Sequence, residues 1–315
     1  MSKFDAASTT GDVMAGISLA GKLAVVTGAS AGLGVETSRA LAAAGAAVLM
    51  LARDATKLEA AAQNLREGIP GAQLHTAIMD LADLSSVRAA AADILVAHPQ
   101  IAMLINNAGI MACPLAHTAQ GFELQFGTNH LGHFLFTCLL APALLAGAPA
   151  RVIALSSAGH KMANVDFDDP SYAQRSYDKW QAYGESKTAN ALFAVALDQR
   201  LGERGVRCFA VHPGAIMTDL GRHMDQADYE LLMARVPEGQ EMAFKTVGQG
   251  AATSVWAATT TELDGCGGWY LEDCHIAEPA APDREGGVEP YALDKIAAER
   301  LWVLSESLVG QSFAF

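Results

Sequence analysis

The chain has little positive charge. Lysine and arginine number 21 against 34 acidic residues, the net charge is -13, and the basic residues form no cluster. A surface that tracks phosphates depends on such clusters, so nucleic acid is not an expected partner. Cysteine is scarce too. The five cysteines (Cys113, Cys138, Cys208, Cys266 and Cys274) are scattered without a CxxC pair, which removes the usual sign of a zinc knuckle or dithiol redox site. No long apolar run follows basic residues at the N-terminus, and apolar stretches elsewhere are broken by Gly, Pro or polar residues. Neither a leader nor a membrane span is expected. These absences point to a cytoplasmic protein with free thiols that acts on small molecules, without membrane or nucleic acid.

What is present is apolar bulk, 51% of 315 residues, enough for a substantial core. Residues 1–21 mix small and polar types without period and read as an extension lying on the surface. Residues 22–315 read as a single domain. In it, Leu23-Ala24-Val25-Val26-Thr27 is a buried-strand run, followed at once by Gly28-Ala29-Ser30-Ala31-Gly32-Leu33-Gly34 and a helical stretch to Gly45. Strand, glycine turn and helix in that order form a dinucleotide cradle: glycines let the backbone approach a pyrophosphate, and the helix start offers free N–H groups and a positive dipole end. A second strand, Ala47–Leu51, runs into Ala52-Arg53-Asp54. An acidic side chain at this tip suits the 2′-hydroxyl of NAD and a basic one the 2′-phosphate of NADP. Arg53 favours NADP; the alternative is a solvated Arg53, with Asp54 on the ribose and NAD as cofactor.

A helix over 56–66, a Pro70-Gly71 turn and a strand over 74–79 follow, closed by Asp80-Leu81, where Asp80 either lies beside an adenine or caps the next helix. The strand Ile101–Ile105 ends in Asn106-Asn107-Ala108-Gly109, small and amide residues suited to a ligand crevice. The alternation predicts a doubly wound parallel α/β sheet, a Rossmann fold of about seven strands with helices on both faces. A long apolar helix over about 120–145 carries Asn129, an amide that needs a partner, together with His130 and His133. Two histidines three apart with no third ligand read as packing residues rather than a metal site. Strand Arg151–Leu155 closes on Ser156-Ser157, a polar insertion spans 160–181, and strand Val206–Val211 ends in His212-Pro213-Gly214-Ala215-Ile216-Met217-Thr218. Residues 215–245 read as a lid, with Met217, Met224, Met233, Met242 and Phe244 suggesting a largely apolar substrate. A further strand over 267–271 and an amphipathic helix over 289–309 complete the chain.

Tyr183-Gly184-Glu185-Ser186-Lys187 sits at the start of an alanine-rich helix, and its spacing of four puts phenol and amine on one face. An adjacent ammonium is expected to pull the phenol below its ordinary pKa and make it a proton shuttle.

TGASAGLG at 27–34, NNAG at 106–109, Asn129, Ser157, YGESK at 183–187 and HPGAIMT at 212–218 together resemble the short-chain dehydrogenase/reductase family, over residues 22 to about 275. The twenty-six positions from Ser157 to Tyr183, with the NHLGHF and SKTAN strings, resemble its retinol dehydrogenase-like branch. The resemblance implies an enzyme that moves a hydride between NADP and a ketone, aldehyde or alcohol. It implies Tyr183 as acid or base, Ser157 (rather than Ser156) bonded to the reacting oxygen, Lys187 on the nicotinamide ribose, and Asn129 holding Lys187 through a water. It further implies cofactor contacts from Gly28, Ser30, Gly32, Leu33 and Gly34, an adenine contact at Asp80 and Leu81, and a wall of Asn107, Ala108 and Gly109. Pro213, Gly214, Ile216 and Thr218 fall at the nicotinamide end, the last two at its carboxamide. No metal is implied. Relatives usually form dimers or tetramers, and here the insertion and the C-terminal tail leave the assembly open. A sensor that has lost catalysis would be expected to lack the Tyr, Lys or Ser, and all three are present.

Overall fold

The computed structural model describes residues 2–234, 244–281 and 286–315. Its centre is an eight-stranded sheet whose strands alternate with helices: β1 (Leu23–Thr27), α2 (Gly32–Ala43), β2 (Ala47–Ala52), α3 (Ala55–Gly68), β3 (Leu74–Ile78), α4 (Leu84–Ala97) and β4 (Met103–Asn106). A short helix α1 (Thr10–Met14) precedes them. The second half runs through α5 (Leu124–Phe126), α6 (Gly132–Ala146), β5 (Ala150–Leu155), α7 (Lys179–Leu201) and β6 (Val206–His212). A two-stranded ribbon, β7 (Ala215–Ile216) and β8 (Phe244–Lys245), flanks α8 (Gln226–Met233). The chain ends with α9 (Val247–Thr259), β9 (Trp269–Glu272), β10 (His275–Ile276) and α10 (Lys295–Val309).

The sheet order is β10-β9-β6-β5-β4-β1-β2-β3, parallel except for β10. The expected seventh strand is β9; the eighth is the antiparallel β10, two residues long and too short to show as a run in the sequence. Strand residues alternate between two apolar layers, because successive side chains on a strand point to opposite faces. Val25, Leu49, Leu104 and Val152 meet α4, α6, α7 and α10, whereas Val26, Val48, Ile105 and Ile153 meet α2, α3 and α9. Burial on both faces explains why these strands read as continuous apolar runs.

Two expectations change. The N-terminal stretch does not simply lie on the surface: α1 carries a Thr9/Asp12 capping box, Val13 is buried in the layer under α2 and α9, and Thr10 bonds Glu36. Two buried residues among polar ones leave too little periodicity to read. The helix predicted over about 120–145 is interrupted by a π turn, Gly127–Leu131, centred on Asn129. The whole run Leu124–Ala146 is apolar and long enough, by length and composition, to cross a bilayer, yet 78% of its most apolar window is buried inside the protein.

Successive strands β1, β2 and β3 build outward in one direction, then the chain returns to place β4 on the other side of β1. At that reversal the loops leaving β1 and β4 diverge and open a crevice at the carboxyl edge.

Candidate active site

The loop after β1 and the loop after β4 are fastened by Thr27. Its hydroxyl oxygen accepts from the backbone N–H of Asn107 (2.9 Å) and Ala108 (3.0 Å), while Asn107 Nδ2 donates to the carbonyl oxygens of Thr27 (2.7 Å) and Gly28 (3.3 Å). Gly28 has φ 67° and Gly32 φ 56°, left-handed values that glycine tolerates, and a Cβ at Gly34 would sit 2.2 Å from the Gly28 carbonyl oxygen. Helix α2 starts here with Ala31 at its N-cap and no side-chain cap bond. By contrast α3, α4, α7, α8, α9 and α10 are each capped by a side chain (Asp54, Asp83, Asp178, Asp225, Thr246 and Asp294). The free N–H groups of α2 are the feature a phosphate would satisfy.

Around this crevice the structure places the expected cofactor residues unevenly. Ser30, Leu33, Asn107, Ala108 and Gly109 are half-buried, and Thr218 comes within 3.5 Å of where a Cβ at Gly32 would be. Pro213 and Gly214 lie in the same loop as Ile216, whose side chain packs against Gly250. Arg53 is exposed just beyond β2, and Asp54 accepts from Lys57 N as the N-cap of α3. Asp80 does not cap α4; Asp83 does, and the Asp80 carboxylate accepts from Ala82 N (2.9 Å). Leu81 is buried against Gly132, so its side chain belongs to the core. Met242 lies outside the described residues.

Helix α7 begins at Lys179, a turn before the tyrosine, with Asp178 accepting from Trp180 N and Gln181 N. Tyr183 and Lys187 share a face as their spacing requires, the Lys187 amine 5.6 Å from the centre of the Tyr183 ring. Ser157, just past β5, lies beside the Tyr183 phenol, and its hydroxyl oxygen accepts from Gly159 N at 3.0 Å. Gly159 makes room for this: a Cβ there would lie 2.6 Å from Tyr183 Cε1. The competing Ser156 points away and donates to the Lys187 carbonyl oxygen at 2.8 Å. Lys187 Nζ donates to the Leu155 carbonyl oxygen (3.2 Å), and a Cβ on Gly109 would lie 3.4 Å from both Lys187 Nζ and Asn129 Oδ1. The Asn129 side chain is committed elsewhere: Oδ1 accepts from Ile110 N, and Nδ2 donates to Ile110 O and Ser186 Oγ, each at 2.9 Å. The insertion is clamped to the same helix between the pair, Arg175 donating twice to Glu185 at 2.6 Å while stacking on Tyr172.

The histidines following Asn129 are buried structural residues. His133 Nδ1 donates to the Asn129 carbonyl oxygen (2.9 Å), which leaves Nε2 to accept from the Thr27 hydroxyl (2.9 Å), and His130 Nε2 pairs with Ser305 Oγ (2.8 Å). Asn129 is thereby linked through His133 and Thr27 to the loop of Asn107.

Burial dominates the electrostatics. It pushes the Tyr183 phenol up to about 12, against the pull of the Ser157 hydroxyl, and the Lys187 amine down to about 8. The expected depression of the tyrosine by its neighbour is therefore not what this structure gives, because removal from water outweighs the hydroxyl that favours the phenolate. Thr27, Gly159 and Ser186 were not singled out from the sequence. Thr27 carried a signal, as the polar end of an apolar strand; Gly159 and Ser186 act through contacts that no local pattern announces.

A parallel sheet, a glycine turn onto an uncapped helix, and a buried Tyr-Lys pair with a half-buried serine beside the same edge define a Rossmann-type oxidoreductase architecture. The short chain dehydrogenase family model matches residues 22–228, and the chain belongs to that family, in its retinol dehydrogenase-like branch. It is an NAD(P)-dependent dehydrogenase/reductase. It is 40% identical to retinol dehydrogenase 12 of Mus musculus over 294 residues, covering 93% of this chain and 88% of that one. Among solved structures, it is similar to an uncharacterized protein from Mycobacterium Paratuberculosis (34% identical, 98% of this chain and 100% of that one, TM-score 0.75). It is also similar to Pseudomonas aeruginosa RhlG in an NADP active-site complex (26%, 81% and 95%, TM-score 0.63).

Proposed function

We propose that the protein is an NADP(H)-linked oxidoreductase of apolar aldehydes, ketones and the matching alcohols, with Tyr183 as the acid or base. The observation that carries this reading is that half-buried Ser157 and buried Tyr183 and Lys187 converge at the sheet edge onto which the uncapped N-terminus of α2 also opens. The α2 N–H groups and the glycine loop would hold the pyrophosphate, and Arg53 the 2′-phosphate. Engagement of Asp54 in capping α3 supports NADP over NAD, and so does the NADP complex of the RhlG relative. Asp80, Asn107–Gly109, Ile216 and Thr218 would border the adenine, ribose and carboxamide, with Lys187 on the nicotinamide ribose.

A bound nicotinamide supplies or takes the hydride. Ser157 would donate a hydrogen bond to the substrate oxygen and fix it beside Tyr183. With its phenol held near 12, Tyr183 is protonated at neutral pH and suited to give a proton to a forming alkoxide. Lys187, held near 8, keeps much of its charge there and stabilises the phenolate left behind. The substrate side is apolar: Trp180 and Tyr183 pack with Met111, Met162, Met224 and Leu232. Leu232 lies on α8, in the segment read as a lid, and Asp228 ties that helix to α7 through Lys179 (2.6 Å) and Trp180 Nε1 (3.0 Å).

NADPH consumption with nonanal and all-trans-retinal tests the reading. Turnover of either supports it, and Tyr183→Phe should slow that turnover by at least about a hundredfold with NADPH affinity nearly intact. Tight NADPH binding without turnover of any carbonyl would favour a sensor instead. Action free of membranes belongs to the same proposal, supported by burial of the Leu124–Ala146 run; co-sedimentation with lipid vesicles would overturn that part.

A further inference from the structure

His160 has no part in the chemistry above, yet it is completely buried directly after the glycine that faces Tyr183. Its ring nitrogens are both engaged. Nδ1 lies 2.7 Å from the Ser157 carbonyl oxygen, and the His160 backbone N–H donates to the same oxygen at 3.0 Å. A nitrogen facing a carbonyl must carry the hydrogen, so Nε2 holds a lone pair, and it accepts from the backbone N–H of Glu289 at 3.1 Å. The His160 carbonyl oxygen accepts from Tyr291 Oη (2.7 Å) and Thr188 Oγ1 (3.1 Å), and the ring lies against Tyr270 at 4.8 Å between centroids. The stretch carrying Glu289 is itself tied to the sheet end, Gly287 N donating to Glu272 Oε1 (2.7 Å) and Val288 N to Glu278 O (2.9 Å).

We infer that His160 is a positioning residue: in one neutral tautomer it fastens the Ser157 backbone to the segment 287–291, so that a part of the chain remote in sequence sets the direction of the serine hydroxyl. This rests on the proposed role of Ser157 at the substrate oxygen. An imidazolium would meet the Glu289 N–H with a second donor, and burial opposes it, holding the ring near 4. Tyr270 Oη, 3.2 Å from Nδ1, can accept from the same N–H, so the shorter contact to the Ser157 carbonyl and the Glu289 N–H together set the tautomer.

The test uses the full-length protein and whichever of nonanal and all-trans-retinal it reduces. Glu289→Pro removes the N–H, along with an acidic side chain, without straining the backbone, because φ at Glu289 is -66°, proline's own value, and Val288 before it is in an extended bridge. It is expected to lower kcat about threefold to tenfold, with KM and NADPH affinity within about twofold. His160→Asn, which keeps a donor near the Nδ1 position, should fall less than His160→Leu, which keeps none. If the imidazole acts through the serine, the His160→Leu/Ser157→Ala pair will be no slower than Ser157→Ala alone. Independently of turnover, imidazole 15N shifts should show the Nδ1–H tautomer near neutral pH in the wild type. Wild-type kcat in both Glu289→Pro and His160→Leu, additive losses in the double variant, or the Nε2–H tautomer would each overturn the inference. Unchanged kcat in Ser157→Ala would instead bring down the reading of the site on which it rests.

Discussion

At the scale of single residues, cofactor choice falls to Arg53 and Asp54. They are neighbours, but Asp54 spends its carboxylate on the first turn of α3, while the Arg53 side chain is exposed at the edge of the crevice. A charge-assisted contact to a phosphate contributes roughly 1.5–3 kcal/mol. Arg53→Ala should therefore weaken NADPH binding about tenfold to a hundredfold and leave NADH binding nearly unchanged, as fluorescence titration of both cofactors would show. Equal losses would mean that Arg53 does not touch the 2′-phosphate. Tyr183 and Lys187 illustrate a second point. Their spacing was legible in the sequence, but the sign of the tyrosine shift depends on burial, and burial depends on everything packed around α7.

At the scale of elements, the contrast between α2 and its capped neighbours is a functional one. A carboxylate at the N-cap position would stabilise the helix by about 0.5–1 kcal/mol while occupying the N–H groups that a pyrophosphate needs. Ala31 is exposed with extended backbone (φ -159°), a conformation that an aspartate N-cap adopts readily. Ala31→Asp is expected to raise the thermal midpoint slightly and to weaken NADPH binding at least about tenfold by charge repulsion. A variant gaining stability with unaltered cofactor affinity would show that α2 does not receive the phosphates.

For the whole molecule, burial keeps four histidines neutral. Burial lowers His130 and His212 to about 3, and His133 and His160 to about 4, against an ordinary value near 6.5. The unfolded chain takes up these protons first, so the stability they contribute is fully present above about pH 6.5 and is lost as pH falls toward 4. Urea unfolding at a series of pH values should show a slope approaching four protons, roughly 5 kcal/mol per pH unit, once pH drops below about 5.5. A flat profile between about pH 7 and 5 would mean that these rings are solvated or charged in the folded protein.

The alternation of strands and helices, the glycine turn, the Tyr183/Lys187 pair and the serine at the end of β5 could be read directly because each is local: apolar runs, glycines and fixed spacings encode strands, turns and shared helix faces in a few adjacent residues. The seating of α1 and the π turn at Asn129 could not, because each is stabilised by partners well separated along the chain, and the eighth strand could not because two residues paired to their neighbours in β9 make no apolar run. The same holds for electrostatics. Desolvation is a property of the surrounding volume, so the raised tyrosine, the lowered lysine and the tautomers of His133 and His160 came into being only when the two halves of the sheet closed over them.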